Sequence, residues 1–397
     1  MPNPFHEAHF LSVFQSNFRP FNGAVASELT RLPIASPASG FTYVFDSATG
    51  VFTRSAQSFG PILTERAETI GRGKFFLGFA YQRFSFDSID GIPLDSMPTV
   101  FTHEQETGAE YEKDFVTARN SVDMTLNQFT IFGTVGLTNR IDVSVAIPIL
   151  DLKMKVASDA QIHRIAPPNP TFGQAHYFDS QNRDGSIAKT FTSSGSATGI
   201  GDVIIRLKGT VKRWESSSFA VAADLYVPSG DERNFLGSGA FGLRPFIAYS
   251  ARVGRVAPHF TVGYQVNQSS LLAGDISANR KGHLANQFTY TAGADVGVAR
   301  PLTLAFDLLG QRVFKAARAL PTTFVSPAPE LSNPGAGQVT YANTRFATES
   351  FNITSAAAGA KLNIAGSLLL TGNLLFRLDD GGLKDKVVPL IGLSYTF

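Results

Sequence analysis

The strongest constraint on this chain is a period of two in hydrophobicity, sustained over segments of ten or more residues. Phe75, Leu77, Phe79 and Tyr81 fall on one face, with Lys74, Gly78, Ala80 and Gln82 on the other. Val203, Ile205, Leu207, Gly209 and Val211 alternate with Asp202, Ile204, Arg206, Lys208 and Thr210. Phe219, Val221, Ala223, Leu225 and Val227 alternate with Ala220, Ala222, Asp224 and Tyr226, and Leu368, Leu370, Leu374 and Phe376 with Thr371, Asn373 and Arg377. Successive side chains of a strand point to opposite faces, so this period specifies β-structure. No stretch keeps a period of 3.6, and the chain reads as all-β.

The pattern predicts about twelve strands, at 73–86, 122–136, 141–155, 199–213, 218–228, 241–252, 257–268, 286–298, 301–314, 349–363, 367–378 and 386–397. Their connections alternate in length. Tight turns stand at Leu137–Arg140, Glu215–Ser218, Val253–Val256, Ala299–Pro301 and Ala365–Ser367, and long polar segments at 87–121, 156–198, 228–240, 268–286, 314–349 and 379–386. Compact soluble domains rarely use structureless loops beyond about 15 residues. A membrane barrel has tight turns on its periplasmic side and long loops outside. Each segment exceeds the roughly 9–11 residues a tilted strand needs to cross a bilayer. In hydrocarbon every backbone N–H and C=O must pair within the protein, so the sheet has to close. The expectation is a transmembrane antiparallel up-and-down β-barrel of about twelve strands, in the outer membrane of a Gram-negative cell. A soluble sandwich would show the same alternation, but not the loop asymmetry or the nearly uncharged outer face. Tyr81, Tyr226, Tyr249, Tyr264, Tyr290 and Tyr395, placed at strand ends, suit the aromatic girdles of such a barrel.

Composition agrees. Only 17% of the 397 residues are charged, below the roughly 25% of soluble domains. The 34 Lys and Arg nearly balance the 32 Asp and Glu, without basic blocks, which argues against nucleic acid as a partner. The absence of cysteine excludes a disulfide framework, a thiolate metal site and a Cys nucleophile. No run approaches the roughly 18 apolar residues of a transmembrane helix. The start, Met1-Pro2-Asn3-Pro4-Phe5-His6, lacks a basic region followed by an apolar one, so an outer-membrane location implies a mature chain without its signal peptide.

The chain ends Ile391-Gly392-Leu393-Ser394-Tyr395-Thr396-Phe397. This resembles the membrane-insertion signal of bacterial barrels, with Ile391, Leu393, Tyr395 and Phe397 on one lipid-facing side. The resemblance implies outer-membrane lipid, lipopolysaccharide and the barrel-assembly machinery as partners. Residues 1–72 lack long alternating strands but carry Phe5, Phe10, Phe14, Phe18 and Phe21, with a hairpin expected at 41–55. They are expected to form an N-terminal plug or periplasmic segment ahead of the 73–397 barrel, or to add the hairpin for a total of about fourteen strands.

A central stretch reads Gly199-Ile200-Gly201-Asp202, followed after the next turn by Pro228-Ser229-Gly230-Asp231-Glu232 and Gly237-Ser238-Gly239. This resembles the outer-membrane transporter family catalogued under the "MetA-pathway of phenol degradation", over roughly 120–397. The resemblance implies a channel for passive uptake of small, apolar or aromatic solutes, with no shared catalytic residues and no cofactor. The long loops leave an alternative, a structural or interaction barrel that holds envelope protein partners.

The face opposite the apolar one presents Lys74, Arg206, Lys208, Arg244 and Arg377 with Asp142, Asp202, Asp224, Asp295 and Asp307 as lumen-lining candidates. Equal numbers of each sign disfavour an ion-selective ring. Such charges are expected to pair across strands, because a buried charge is costly without a partner; contact with solute is the other role open to them. Twelve strands enclose more space than the eight that side chains can fill, so a lumen is expected, open or plugged. His6-Glu7-Ala8-His9 lacks the helical context of a metal site, and none is expected. His259 is placed near the periplasmic rim, without the fixed serine of a phospholipase-like hydrolase, so no enzyme is expected. The acidic stretch Asp87–Asp95 is read as a solvated loop.

Overall fold

The computed structural model describes residues 58–397 apart from 104–108, 169, 171–172 and 277, together with 21, 23–25, 29, 32–33, 36, 43–46 and 51–54. Twelve antiparallel strands close into a barrel. They are β1 (Phe75–Ser85), β2 (Phe115–Gly136), β3 (Ile141–His163), β4 (Val203–Arg213), β5 (Ser217–Val227), β6 (Gly242–Ala251), β7 (Val256–Asn267), β8 (Gln287–Ala299), β9 (Leu302–Val325), β10 (Thr340–Ala365), β11 (Leu368–Arg377) and β12 (Val387–Thr396). Each pairs with its sequence neighbour, and β12 returns to β1 in a ladder from Leu390↔Gln82 to Thr396↔Phe76. Closure removes the edges that hydrocarbon would leave unpaired.

The alternation sorts as the period requires. Leu207, Val211, Val221, Ile247, Phe260, Phe306 and Leu374 point outward and are exposed, while Arg206, Lys208, Asp224 and Ala248 point inward and are buried. Ile391, Leu393, Tyr395 and Phe397 all face outward, and the Phe397 ring lies 5.7 Å from Phe75 where the barrel closes. Five of the six girdle tyrosines follow the outer face. Tyr226 does not: it shares the inward face of β5 with Asp224 and lines an interior cavity. An outward charge at mid-membrane costs about 2–4 kcal/mol. Leu207→Arg is therefore expected to destabilise the barrel by about that much, read from urea unfolding in phosphatidylcholine vesicles; an unchanged midpoint would show that this face does not meet lipid.

Strand ends differ from the sequence expectation. β2, β3, β9 and β10 run 22, 23, 24 and 26 residues, and rise well beyond the others. Much of the segments read as loops at 87–121, 156–198 and 314–349 is therefore strand. Met97–Thr102 pairs with β2 and Ala188–Ile200 with β3, which makes a four-stranded fin above the membrane. These extensions carry scattered apolar residues, among them Phe101, Val116, Ala118, Ala160 and Ile162, which pack together in a local cluster but keep no sustained hydrophobic alternation. The 188–213 stretch is one long strand with a register shift. Ile200 opposes Ile149 and Ile204 opposes Ala146, so one extra residue bulges out at Gly201-Asp202.

Near the N-terminus, Tyr43–Asp46 pairs with Val51–Arg54, within the hairpin expected at 41–55, as a separate two-stranded sheet. It adds no strand to the barrel. The apolar positions Phe5, Phe10, Phe14 and Phe18 and the His6/His9 pair lie outside the described residues.

Candidate functional site

Residues 58–71 are buried inside the barrel, in its periplasmic half. They cross it from one wall to the other by hydrogen bonds to inward-facing side chains. At the β9–β10 wall, Phe59 N donates to Thr303 Oγ1 (3.1 Å), and Lys361 Nζ donates to the carbonyls of Phe59 (3.2 Å) and Pro61 (2.5 Å). Thr64 Oγ1 donates to Asp307 Oδ1 (3.0 Å). On the opposite wall Ala67 N donates to Ser250 Oγ (2.9 Å), Thr210 Oγ1 to Ala67 O (2.7 Å) and Ile70 N to Asp142 Oδ2 (2.9 Å). The backbone of this segment has no regular ladder, so wall side chains satisfy the polar groups that burial would otherwise strand.

Glu65 is the electrostatic centre. Its carboxylate pairs with the Arg206 guanidinium, accepts from Lys208 Nζ at 2.8 Å and from Ser36 Oγ at 2.9 Å. Arg206 forks onto Asp224 with Nε–Oδ1 2.6 Å and Nη2–Oδ2 3.0 Å, and Arg244 reaches the same carboxylate at 2.5 Å. Both guanidinium carbons lie 5.1 Å from the Phe246 ring centre. Lys208 Nζ also donates to the carbonyls of Arg66 (3.2 Å) and Glu68 (2.8 Å). Buried charges held this way are fully hydrogen-bonded, the condition under which they persist.

The ten lumen candidates fall into distinct settings. Arg206, Lys208, Asp224 and Arg244 meet in one network, and Asp142 sits near the periplasmic turn beneath Ile70. Asp295 and Asp307 flank His259, whose Nε2 lies 2.8 Å from Asp307 and Nδ1 3.7 Å from Asp295. His259 is thus interior rather than on the outer wall, beside the periplasmic turn at Val253–Val256 as expected; its neighbours Pro258 and Phe260 carry the outward face of β7. Lys74 lies half-buried at the periplasmic rim, and Arg377 turns to Asp379 (3.2 Å) at the extracellular end. Asp202 holds a loop clamp and also lines the interior cavity. Sequence reasoning missed Glu65 and Lys361. Glu65 lies in a segment without period, and Lys361 sits among Gly359, Ala360 and Leu362 with nothing local to mark it.

The two glycine motifs interlock. Ser229 Oγ donates to Gly201 O (2.7 Å) and accepts from Val203 N (2.9 Å). Asp202 accepts from Gly230 N (3.2 Å) and Ser238 N (2.7 Å). A Cβ on Gly237 would stand 2.4 Å from Asp202 Oδ1 and 2.7 Å from Gly230 Cα, so only glycine permits the approach. The clamp folds the 228–240 loop inward. Leu236 is buried and Phe235 packs against the interior cluster that holds Leu29, Leu63 and Leu150.

Between this loop and residues 58–71 lies a cavity of about 170 Å³. Leu29, Leu63, Ile204, Phe235 and Leu236 supply its apolar wall, and Gln265, Gln287 and Gln311 part of its polar one. A wider groove of about 250 Å³ opens above, between the inner face of β3 at Leu152, Met154 and Val156 and the same loop. Phe235 lines both spaces. Its backbone is left-handed, at φ 58° and ψ 24°, a conformation that costs a bulky residue about 1–2 kcal/mol.

A family model described as "Putative MetA-pathway of phenol degradation" matches residues 109–306. The chain belongs to this family. The match runs from just before β2 to the first residues of β9 and includes both interlocking motifs. It is an outer-membrane β-barrel. No curated protein matches the chain. Among solved structures, an outer membrane channel from Pseudomonas putida F1 is similar at 13% identity and TM-score 0.45, covering 83% of this chain and 98% of that one. A Pseudomonas aeruginosa FadL homologue is similar at 9% identity and TM-score 0.32, covering 82% and 89%. The Ralstonia pickettii toluene transporter TbuX is similar at 11% and 0.29, covering 83% and 90%.

Above the membrane the long strands tie together. Asp90, read from sequence as part of a solvated loop, is buried: it pairs with Arg318 (2.8 Å) and accepts from the amides of Ala319 (2.9 Å) and Gly382 (2.8 Å). Among the described residues no cluster of His, Asp and Glu is arranged to hold a metal. At the tip of the β9–β10 hairpin, Glu330 bonds His163 Nδ1 at 2.9 Å and accepts from the Tyr341 hydroxyl, while His163 Nε2 lies 2.8 Å from Thr117 Oγ1. Burial pushes the Glu330 carboxyl up, but the bonds from Tyr341 and His163 outweigh it and hold it below its ordinary range. Tyr341 is pushed up to about 12 by burial and the adjacent carboxylate. A depressed carboxylate stabilises the fold above its unfolded pKa and loses that contribution as pH falls through the folded value. The hairpin tip is therefore expected to loosen below about pH 4. Hydrogen exchange at Ser326 and Val339 checks this: protection should be high at neutral pH and fall on acidification, and equal protection at both would contradict it.

Proposed function

We propose that this barrel passes small, apolar or aromatic solutes across the outer membrane. The observation that carries this reading is the continuity of apolar surface from the mouth inward. Leu152, Met154 and Val156 line the outer groove, Phe235 stands between the two spaces, and Leu29, Leu63 and Ile204 line the inner cavity. Charges are neutralised in pairs rather than arrayed as a ring of one sign, which offers an ion no selective coordination. Residues 1–72 act in this reading as an N-terminal plug, whose 58–71 portion rests on wall side chains and has to shift for solute to reach the periplasm. A single aromatic ring is of the size the inner cavity holds.

Uptake of radiolabelled toluene by Gram-negative cells producing the full chain tests this, since lipopolysaccharide slows entry of apolar solutes through the lipid. Initial accumulation should rise several-fold over cells without it. Equal rates, with the barrel verified in the outer membrane, would overturn the proposal. A second reading, an interaction barrel, is favoured by one feature: the Ala188–Ile200 strand is largely exposed and pairs on one side only among the described residues. Capture of a stoichiometric envelope partner that is lost when this strand is trimmed, together with no toluene uptake, would favour it.

A further inference from the structure

The short segments that end the barrel on its periplasmic side carry charge of one sign. Segments 71–74, 137–140, 212–216, 252–255 and 299–301 hold eight basic side chains and a single acidic one, Glu215. At the extracellular end charges come in opposite pairs, such as Lys113 with Glu110, Arg345 with Glu349 and Lys384 with Asp380. Five of the periplasmic residues, Arg72, Arg140, Arg252, Arg255 and Arg300, make no ion pair among the described residues. The Arg140 guanidinium reaches the Val211 carbonyl (3.4 Å) and that of Arg252 the Glu215 carbonyl (3.3 Å), so neither charge is cancelled. Like charges gathered without counterions repel and destabilise the compact state.

Contacts between the segments join these arginines into one arc. Besides the two bonds above, Arg72 N donates to Asn139 Oδ1 (3.1 Å) and Gly297 N to Arg255 O (2.9 Å). The arc runs from the entry to β1 across the β2–β3, β4–β5, β6–β7 and β8–β9 turns. It stops at the β10–β11 turn, Ala365-Gly366-Ser367, which is uncharged. Val253 and Val256, bridged across the β6–β7 turn, continue the outward phase of Tyr249 and Phe260 and are exposed. Arg252 and Arg255 instead line an interior space with His259 and Asp295. The cation on the outward face is Lys212, opposite Phe219 and 6.0 Å from the Trp214 ring centre.

We propose that this arc docks the acidic face of a periplasmic protein. Three observations choose that occupant. Arg252 and Arg255 turn toward the lumen exit rather than toward lipid headgroups. The arc covers one side of the rim, whereas lipid surrounds all of it. Successive turns stand two strands apart, about 10 Å along the rim, so the charges are too dispersed to converge on one small anion. Arginine suits such a surface, because its planar fork meets a carboxylate with two parallel bonds. The inference is independent of what the barrel passes.

The test uses the full chain in phosphatidylcholine nanodiscs and two fluorescein-labelled peptides, decaglutamate and decaglutamine, read by anisotropy. Decaglutamate should bind and decaglutamine should not. In Arg140→Gln/Arg252→Gln/Arg255→Gln the decaglutamate affinity should fall about tenfold or more. It should fall likewise as salt rises from about 0.05 to 0.5 M and the Debye length shortens. Glutamine can still donate to the Val211 and Glu215 carbonyls, so the variant is expected to keep its fold, which circular dichroism checks. Arg280→Gln/Arg345→Gln, at the extracellular end, should leave the affinity unchanged. In cells, p-benzoylphenylalanine in place of Ser216 should crosslink a protein of acidic isoelectric point, and the triple variant should abolish that adduct. Equal peptide affinity in wild type and triple variant, an equal loss in the extracellular variant, or an absent or persistent adduct would each overturn the proposal. If native mass spectrometry shows phosphatidylglycerol retained by the wild type and lost from the triple variant, while decaglutamate binds neither, the arginines serve lipid and the proposal fails.

Discussion

Replacing Glu65 with alanine is expected to open the barrel. Glu65 joins residues 58–71 to the β4 wall through Arg206, Lys208 and Ser36. Its removal leaves Arg206 with Asp224 and Lys208 with two backbone carbonyls, both short of one negative charge. Taking one partner out of a buried pair costs about 3–5 kcal/mol, because the other charge stays desolvated. That loss falls on docking of the segment, since the strands themselves are held by their own ladders. Conductance of single barrels in planar bilayers should be low for the native chain and rise in Glu65→Ala, with Glu65→Gln between them. Equal conductance in all three would mean that this ion pair does not hold the lumen shut.

The second large effect is expected at Asp202. Its carboxylate alone receives both the Gly230 and Ser238 amides, and so fixes both ends of the inward loop. Asp202→Ala leaves two donors without acceptors, at about 1–3 kcal/mol each when water cannot replace the lost partner. The Ser229 hydroxyl still bridges Gly201 and Val203, so the strand bulge should survive while the 231–238 portion loosens. Protease added to intact cells reads this out. Cleavage within 231–238 should be slow in the native barrel and fast in Asp202→Ala, whereas equal rates would show that the loop is held by other contacts. Asp202→Asn retains one acceptor oxygen and should fall between the two.

The barrel was legible because its physics is periodic. Lipid outside and a packed interior impose a period of two on β4, β5 and β12, and the outward set Leu207, Val221, Leu393 and Phe397 follows from it without reference to any contact. The upper halves of β2, β3, β9 and β10 were not legible, since above the membrane no lipid imposes a continuous apolar face and their few apolar residues, such as Val116, Ala160 and Phe324, pack in local clusters. Tyr226 shows the limit of residue type as a guide: its position on β5, in phase with Asp224, already places it inside, although tyrosines at strand ends usually face the interface. The charged network was half legible. Arg206, Asp224 and Arg244 come from regular strands whose phase is known, but their partner Glu65 lies in an aperiodic stretch 141 residues from Arg206. Only the fold brings it there. The glycine motifs could be seen as motifs, yet their interlocking depends on a one-residue register shift that no local pattern encodes.

The central claim is that residues 58–71 cross the lumen and close it. A cysteine pair tests it most directly, because the chain contains no cysteine of its own. Ala67 N lies 2.9 Å from Ser250 Oγ, so the two residues are adjacent, the first requirement for Ala67→Cys and Ser250→Cys to be bridged. In barrels inserted in the outer membrane, mild oxidation should link the two thiols within the monomer. In the linked form Glu65→Ala should no longer raise conductance, and reduction should restore the increase. Two thiols that stay unlinked and react freely with a membrane-impermeant maleimide would contradict the account.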